Sequence, residues 1–273
     1  MNYIEWHGMR DVFTIGSFSL RWYGVLFAAG LMLGYLIMSW MRARETDQSE
    51  YAKSLDLDIL LIVLVAGTVV GARLYHVFFY QWSYYQNHIG EIFLVWKGGL
   101  ASHGGAIGIL LILWLYTKKT GISMLWLLDR LAIPILLASA FIRFGNFMNS
   151  EILGTQTTVP WAVIFKAEHA KYAGFVPRHP AQLYEAFAYF VLFIGLLLTY
   201  IKTRLSVRTG ALFGIMLSGI FISRFFIEFV KMRQEELTAG QSVSMLNVGQ
   251  WSSIPFVIAG VTLIIFSYRS KTE

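Results

Sequence analysis

The chain contains no cysteine. That excludes a disulfide framework, a thiolate metal site and a cysteine nucleophile supplied by the protein itself. Charge is also scarce: Asp, Glu, Lys and Arg make up 14% of the 273 residues, against about 25% in an average soluble protein. A soluble domain of this length needs more charge to cover its surface. Dense Lys/Arg runs are missing, so the formal net charge of +6 points to basic loops facing the cytoplasm and not to nucleic acid. Met1 to Phe18 lack the basic-then-apolar order and the small-residue cleavage site of a signal peptide, and carry Glu5, His7, Arg10 and Asp11 instead. No internal repeat stands out, which argues against a transporter built from inverted halves.

Apolar residues make up 56% of the chain, and its mean hydropathy is +0.58. They fall in seven blocks, 18–40, 57–80, 94–117, 123–148, 182–201, 210–230 and 251–268. Each is near the length of about 20 residues that spans a bilayer as a helix. Backbone groups in lipid must pair within their own segment, so continuous blocks predict helices and exclude the alternating strands of a barrel. The expected fold is all-α, a single transmembrane domain over residues 1–273 with about seven helices. Lys and Arg set its orientation. Arg42, Arg44 and Lys53 follow the first block, Lys118 and Lys119 the third, Lys202, Arg204 and Arg208 the fifth, and Arg269 and Lys271 the last. With these on the cytoplasmic side, the N-terminus lies outside and the C-terminus inside. The loops 81–93, 149–181 and 231–250 then face outward.

Several ionisable residues sit inside the blocks: Arg73 and His76, His103, Asp129, Arg130 and Arg143, Arg224 and Glu228. A charge at mid-bilayer costs about 2.5–3.5 kcal/mol on insertion scales, so each needs a partner, a cavity or a route to the interface. In the expected topology Arg73, Arg143, Arg224, His103 and Tyr23 all reach the outer half of the membrane. Asp129 and Arg130 lie toward the cytoplasm, where snorkelling or local pairing is expected. Three guanidiniums near one leaflet suit an anionic headgroup, because the planar fork of donors matches phosphate. Arg224 and Glu228 are four apart, so a plain ion pair is the competing reading.

Two motifs narrow this further. In Gly98-Gly99-Leu100-Ala101-Ser102-His103-Gly104-Gly105-Ala106-Ile107-Gly108, the glycines either let a substrate approach His103 or let two helices pack closely. In Arg143-Phe144-Gly145-Asn146-Phe147-Met148-Asn149-Ser150-Glu151, followed by Gly154, Arg143 and Asn146 are three apart and share a helix face.

At these residues the chain resembles the bacterial prolipoprotein diacylglyceryl transferases. The resemblance extends to Trp22-Tyr23-Gly24, Gly71-Ala72-Arg73, the run Arg178-His179-Pro180-Ala181-Gln182-Leu183-Tyr184-Glu185, and Arg224 with Glu228. It implies a seven-span enzyme of the bacterial cytoplasmic (inner) membrane with its active site toward the outer face. Its partners would be membrane lipids, phosphatidylglycerol as donor, and a prolipoprotein signal peptide whose lipobox cysteine receives the diacylglyceryl group. A thioether would form and glycerol phosphate would leave. No cofactor and no metal are expected, since the guanidiniums can supply the charge. His103 is the expected general base, with Arg143 and Arg224 stabilising the leaving phosphate. Tyr23, Arg73, Asn146, Glu151, Gly154 and Glu228 are expected to bind substrate or shape the site, Glu228 by orienting Arg224. The alternatives are a non-catalytic phospholipid-binding membrane protein or a transporter.

Overall fold

A computed structural model of the chain describes residues 3–8, 10–16, 18–45, 49–167, 170, 174–203, 208–232 and 246–269. Arg204, Lys271 and residues 233–245 of the third expected outer loop lie outside the described residues. The protein is mostly helical and polytopic. In chain order its main elements are β1 (Ile4–Trp6), β2 (Asp11–Ile15), β3 (Phe18–Arg21), α1 (Trp22–Glu45), α2 (Glu50–Ser54), α3 (Leu57–Tyr75), α4 (Trp82–Tyr85), α5 (Ser102–Thr120), α6 (Met124–Met148), β4 (Val163–Phe165), β5 (Pro177–Arg178), α7 (Ala181–Lys202), α8 (Ala211–Ile227) and α9 (Val248–Arg269).

Among the described residues, six helices are long and apolar enough to cross a membrane: Trp22–Glu45, Leu57–Tyr80, Met124–Met148, Ala181–Lys202, Ala211–Val230 and Val248–Arg269. They leave large apolar side chains such as Ile62, Phe187 and Phe226 exposed, which lipid accepts and water does not. The start of the expected third span, 94–117, is corrected. Gly98 and Gly99 adopt positive φ, 3₁₀ turns occupy Ile89–Phe93 and Val95–Lys97, and α5 begins only at Ser102. With its polar first turn and closing Lys118 and Lys119, α5 is not among these six.

The chain divides into two compact units, Met38–Leu127 and the remainder. In the smaller unit α3 and α5 pack through glycines. A Cβ on Gly71 would collide with the Gly104 carbonyl oxygen, and one on Gly108 with that of Gly67. This is the small-residue spacing that lets helix backbones touch.

In the larger unit α8 and α9 meet at Gly214 and Gly260, where a Cβ on Gly214 would stand 2.7 Å from the Gly260 carbonyl oxygen. Asn247 and Gln250 open α9 reciprocally. The Gln250 amide donates to Asn247 Oδ1 at 2.8 Å, and the Asn247 amide to Gln250 Oε1 at 3.0 Å.

For Asp129 and Arg130 the snorkelling half of the expectation does not hold: both are buried. Asp129 reaches from α6 to the start of α8, accepting the Gly210 amide at 2.6 Å and the Phe213 amide at 2.8 Å. A carboxylate there satisfies amides that have no partner within the helix and complements its dipole. Strand β1 pairs in parallel with β4, which pairs antiparallel with β5, and β2 and β3 form a hairpin. Phe147, Met148, Leu153, Val163 and Phe165 form a core against which Trp6 packs. Trp6 stacks on Phe147 at 4.8 Å and donates Nε1–H to its carbonyl at 3.2 Å. This core fixes the end of α6, from which the candidate site emerges.

Candidate functional site

Helix α6 ends at Met148, and the chain turns sharply because Ser150 and Ile152 adopt φ of 53° and 56°. The turn brings the Glu151 amide onto the Asn146 carbonyl at 2.9 Å. The Glu151 carboxylate folds back over the helix end, accepting Asn146 Nδ2 at 3.0 Å and Asn149 Nδ2 at 3.2 Å. Buried Gln182, at the start of α7, donates Nε2–H to the Glu151 carbonyl. One turn back, Arg143 places Nη1 3.5 Å from Asn146 Oδ1 and Nε 3.1 Å from Glu185 Oε2. The Tyr189 hydroxyl bonds to Arg143 and lies in the field of Arg224. Tyr23, in the first turn of α1, lies in the field of both Glu151 and Arg143, and a Cβ on Gly145 would stand 3.1 Å from its ring.

The acid partner of Arg143 was not singled out by sequence reasoning. Glu185 is fully buried and shared: its other oxygen, Oε1, stands 3.2 Å from Lys231 Nζ, which lies 3.1 Å from Glu228 Oε2. The expected role of Glu228 is corrected accordingly. Its described partner is Lys231, and Arg224 Nε is buried without a hydrogen-bond partner among the described residues. Arg143 and Lys231 thus balance Glu185 and Glu228. Gly154 is required by close packing: a Cβ there would collide with the His179 carbonyl oxygen and lie 2.9 Å from that of Val230. Its bridge to Lys231 and the Thr155 amide bond to the Val230 carbonyl at 2.8 Å tie this loop to the segment carrying Lys231.

Beside it, Trp161 Nε1 donates to the Tyr184 hydroxyl at 2.7 Å, which lies 3.1 Å from His179 Nδ1. Burial lowers the His179 pKa from its ordinary 6.5, since it disfavours the charged ring.

The smaller unit holds Arg73 and His103. Arg73, expected among the substrate-binding residues, lies in the last turn of α3. It is buried, with Nε on the Ile92 carbonyl at 2.8 Å, Nη2 on that of Glu91 at 2.6 Å, and Nη1 on those of Gly98 at 2.6 Å and Gly99 at 3.3 Å. Its fork is occupied by backbone carbonyls and holds the 89–99 segment in place. A Cβ on Gly99 would lie 2.6 Å from His76 Nε2 and 2.8 Å from Arg73 Nη1, so this glycine serves that close approach. His103, in the first turn of α5, is exposed and stacks on Tyr75 at 6.1 Å. The neighbouring Gly104 packs against α3.

Comparison with known proteins gives a family match. The model described as "Prolipoprotein diacylglyceryl transferase" matches residues 10–266. The chain is 45% identical over 269 residues to a protein of Tolumonas auensis, covering 98% of this chain and 99% of that one. It is 42% identical over 269 residues to one of Chloroherpeton thalassium, covering 98% and 96%, and 44% identical over 278 residues to one of Porphyromonas gingivalis, with the same coverage. All three are named phosphatidylglycerol–prolipoprotein diacylglyceryl transferase.

Proposed function

The chain belongs to the prolipoprotein diacylglyceryl transferase family, and we propose that it transfers the diacylglyceryl group of phosphatidylglycerol to the lipobox cysteine of a prolipoprotein. It is a multi-pass membrane transferase of lipoprotein biosynthesis. The observation that carries the substrate reading is the Arg143 group, an arginine beside a tyrosine and an amide-held carboxylate at the end of a membrane helix. The placement extends to the bacterial cytoplasmic membrane, with α5 as a seventh span and this helix end toward the outer face.

In the proposed reaction the lipobox thiol loses its proton, with His103 as acceptor. A free thiol has a pKa of about 8.5, so it needs such help near neutral pH. The sulfur attacks the headgroup-bearing glycerol carbon of the diacylglyceryl group. A carbon–sulfur bond forms, the carbon–oxygen bond to phosphate breaks, and glycerol phosphate leaves with the electron pair. Arg143 and Arg224 stabilise the charge that develops on that leaving group. Tyr23, Asn146 and Glu151 hold the headgroup in place.

The test is reconstitution of the purified protein with phosphatidylglycerol and a lipobox peptide, followed by mass spectrometry. The expected result is the mass of one diacylglyceryl group on the cysteine, absent from a Cys→Ser peptide. Folded protein that binds phosphatidylglycerol but leaves the peptide unchanged would overturn the reading.

A further inference from the structure

Glu185 is a fully buried carboxylate flanked by two cations on different elements. Arg143 lies on α6 and Lys231 follows α8, while Glu185 itself lies in the first turns of α7. A lone buried carboxylate is costly, and so is a buried ammonium; together with good geometry each offsets the other. The division of contacts is specific. Glu185 Oε2 stands 3.1 Å from Arg143 Nε, the inner nitrogen of the guanidinium, as an ion pair without hydrogen-bond geometry, while the terminal Nη1 faces Asn146 Oδ1 at 3.5 Å. Lys231 takes the second carboxylate oxygen, so Arg143 does not absorb the whole charge of Glu185.

We propose that Glu185, with Lys231, is a positioning residue for the transfer: its ion pair at Nε sets the orientation of Arg143 so that the terminal nitrogens meet the phosphate of the leaving group, while Lys231, shared with Glu228, holds the other oxygen of Glu185. This rests on the function proposed above. Glu185 acts through Arg143 and does not touch substrate. A misaligned guanidinium loses more in the transition state, where charge develops, than in the bound ground state. Replacing Glu185 therefore lowers kcat more than it raises KM.

The experiment compares wild type, Glu185→Gln and Glu185→Asp in the reconstituted peptide assay, with thermal unfolding recorded on each preparation. The expected result is a fall in kcat of about thirtyfold or more for Glu185→Gln, with KM for phosphatidylglycerol changed less than about threefold. Glu185→Asp keeps the charge on a shorter arm and regains part of the loss. Should Glu185→Gln fail to fold, Glu185→Asp carries the test, and a kcat equal to wild type in folded protein overturns the proposal. A rise in KM with unchanged kcat also overturns it. Wild type without transfer would instead sink the function on which the proposal rests.

Discussion

Arg73 and Arg143 occupy similar places in their helices, near the end of a long apolar run, yet the structure uses them differently. The Arg73 fork is filled by four backbone carbonyls. Arg143 is held by side chains, at Glu185 and Asn146. The first arrangement organises a loop. The second leaves a cation among side chains that can meet a ligand. A charge inside an apolar block therefore marks importance without saying which kind, and the nature of its partners separates the two.

The largest expected effect falls on the ligand side of that contrast. Arg143→Ala should lower transfer by about a hundred- to thousandfold, the usual loss for one donor to a developing oxyanion, as read by peptide mass. On the other side, Arg73→Ala leaves several carbonyls without their donor and should cost about 2–4 kcal/mol of stability in a detergent unfolding measurement. Transfer per folded molecule should change far less than with Arg143→Ala. Asp129→Ala should cost about 1–3 kcal/mol in the same measurement, because it strips two amides at the start of α8 of their acceptor.

Much of the helical frame was legible in the sequence because continuous apolar runs have one stable form in lipid. Six spans lie within a few residues of the expected blocks. The third did not, because apolar content alone placed its start at 94, whereas the positive-φ Gly98 and Gly99 break the chain before Ser102. The strands were missed: β1 and β4 have three residues each, too few to show alternation. In the site, Arg143, Asn146 and Glu151 were legible because they interrupt an apolar helix or follow its end. The Glu185–Lys231 pair was not, since it joins residues 46 apart in sequence.

Two smaller effects sharpen the account of the loop around the site. The lowered His179 pKa means that the unfolded chain binds a proton more readily than the folded one. Stability should therefore rise with pH through the window below about 6.5 and fall as pH drops through it. A His179→Gln variant should lose that part of the pH dependence in unfolding experiments. Ser150 has φ of 53°, and its buried hydroxyl has no hydrogen-bond partner among the described residues. Its side chain therefore adds strain without a compensating bond, and Ser150→Gly should raise stability by up to about 1 kcal/mol.

The most direct test runs Arg143→Ala and Arg73→Ala through one reconstituted assay, counting transferred diacylglyceryl groups per folded molecule. The account predicts a deep loss for Arg143→Ala with a modest change in unfolding temperature, and a large drop in unfolding temperature for Arg73→Ala with transfer retained by its folded fraction. Equal transfer by the two folded variants would contradict it.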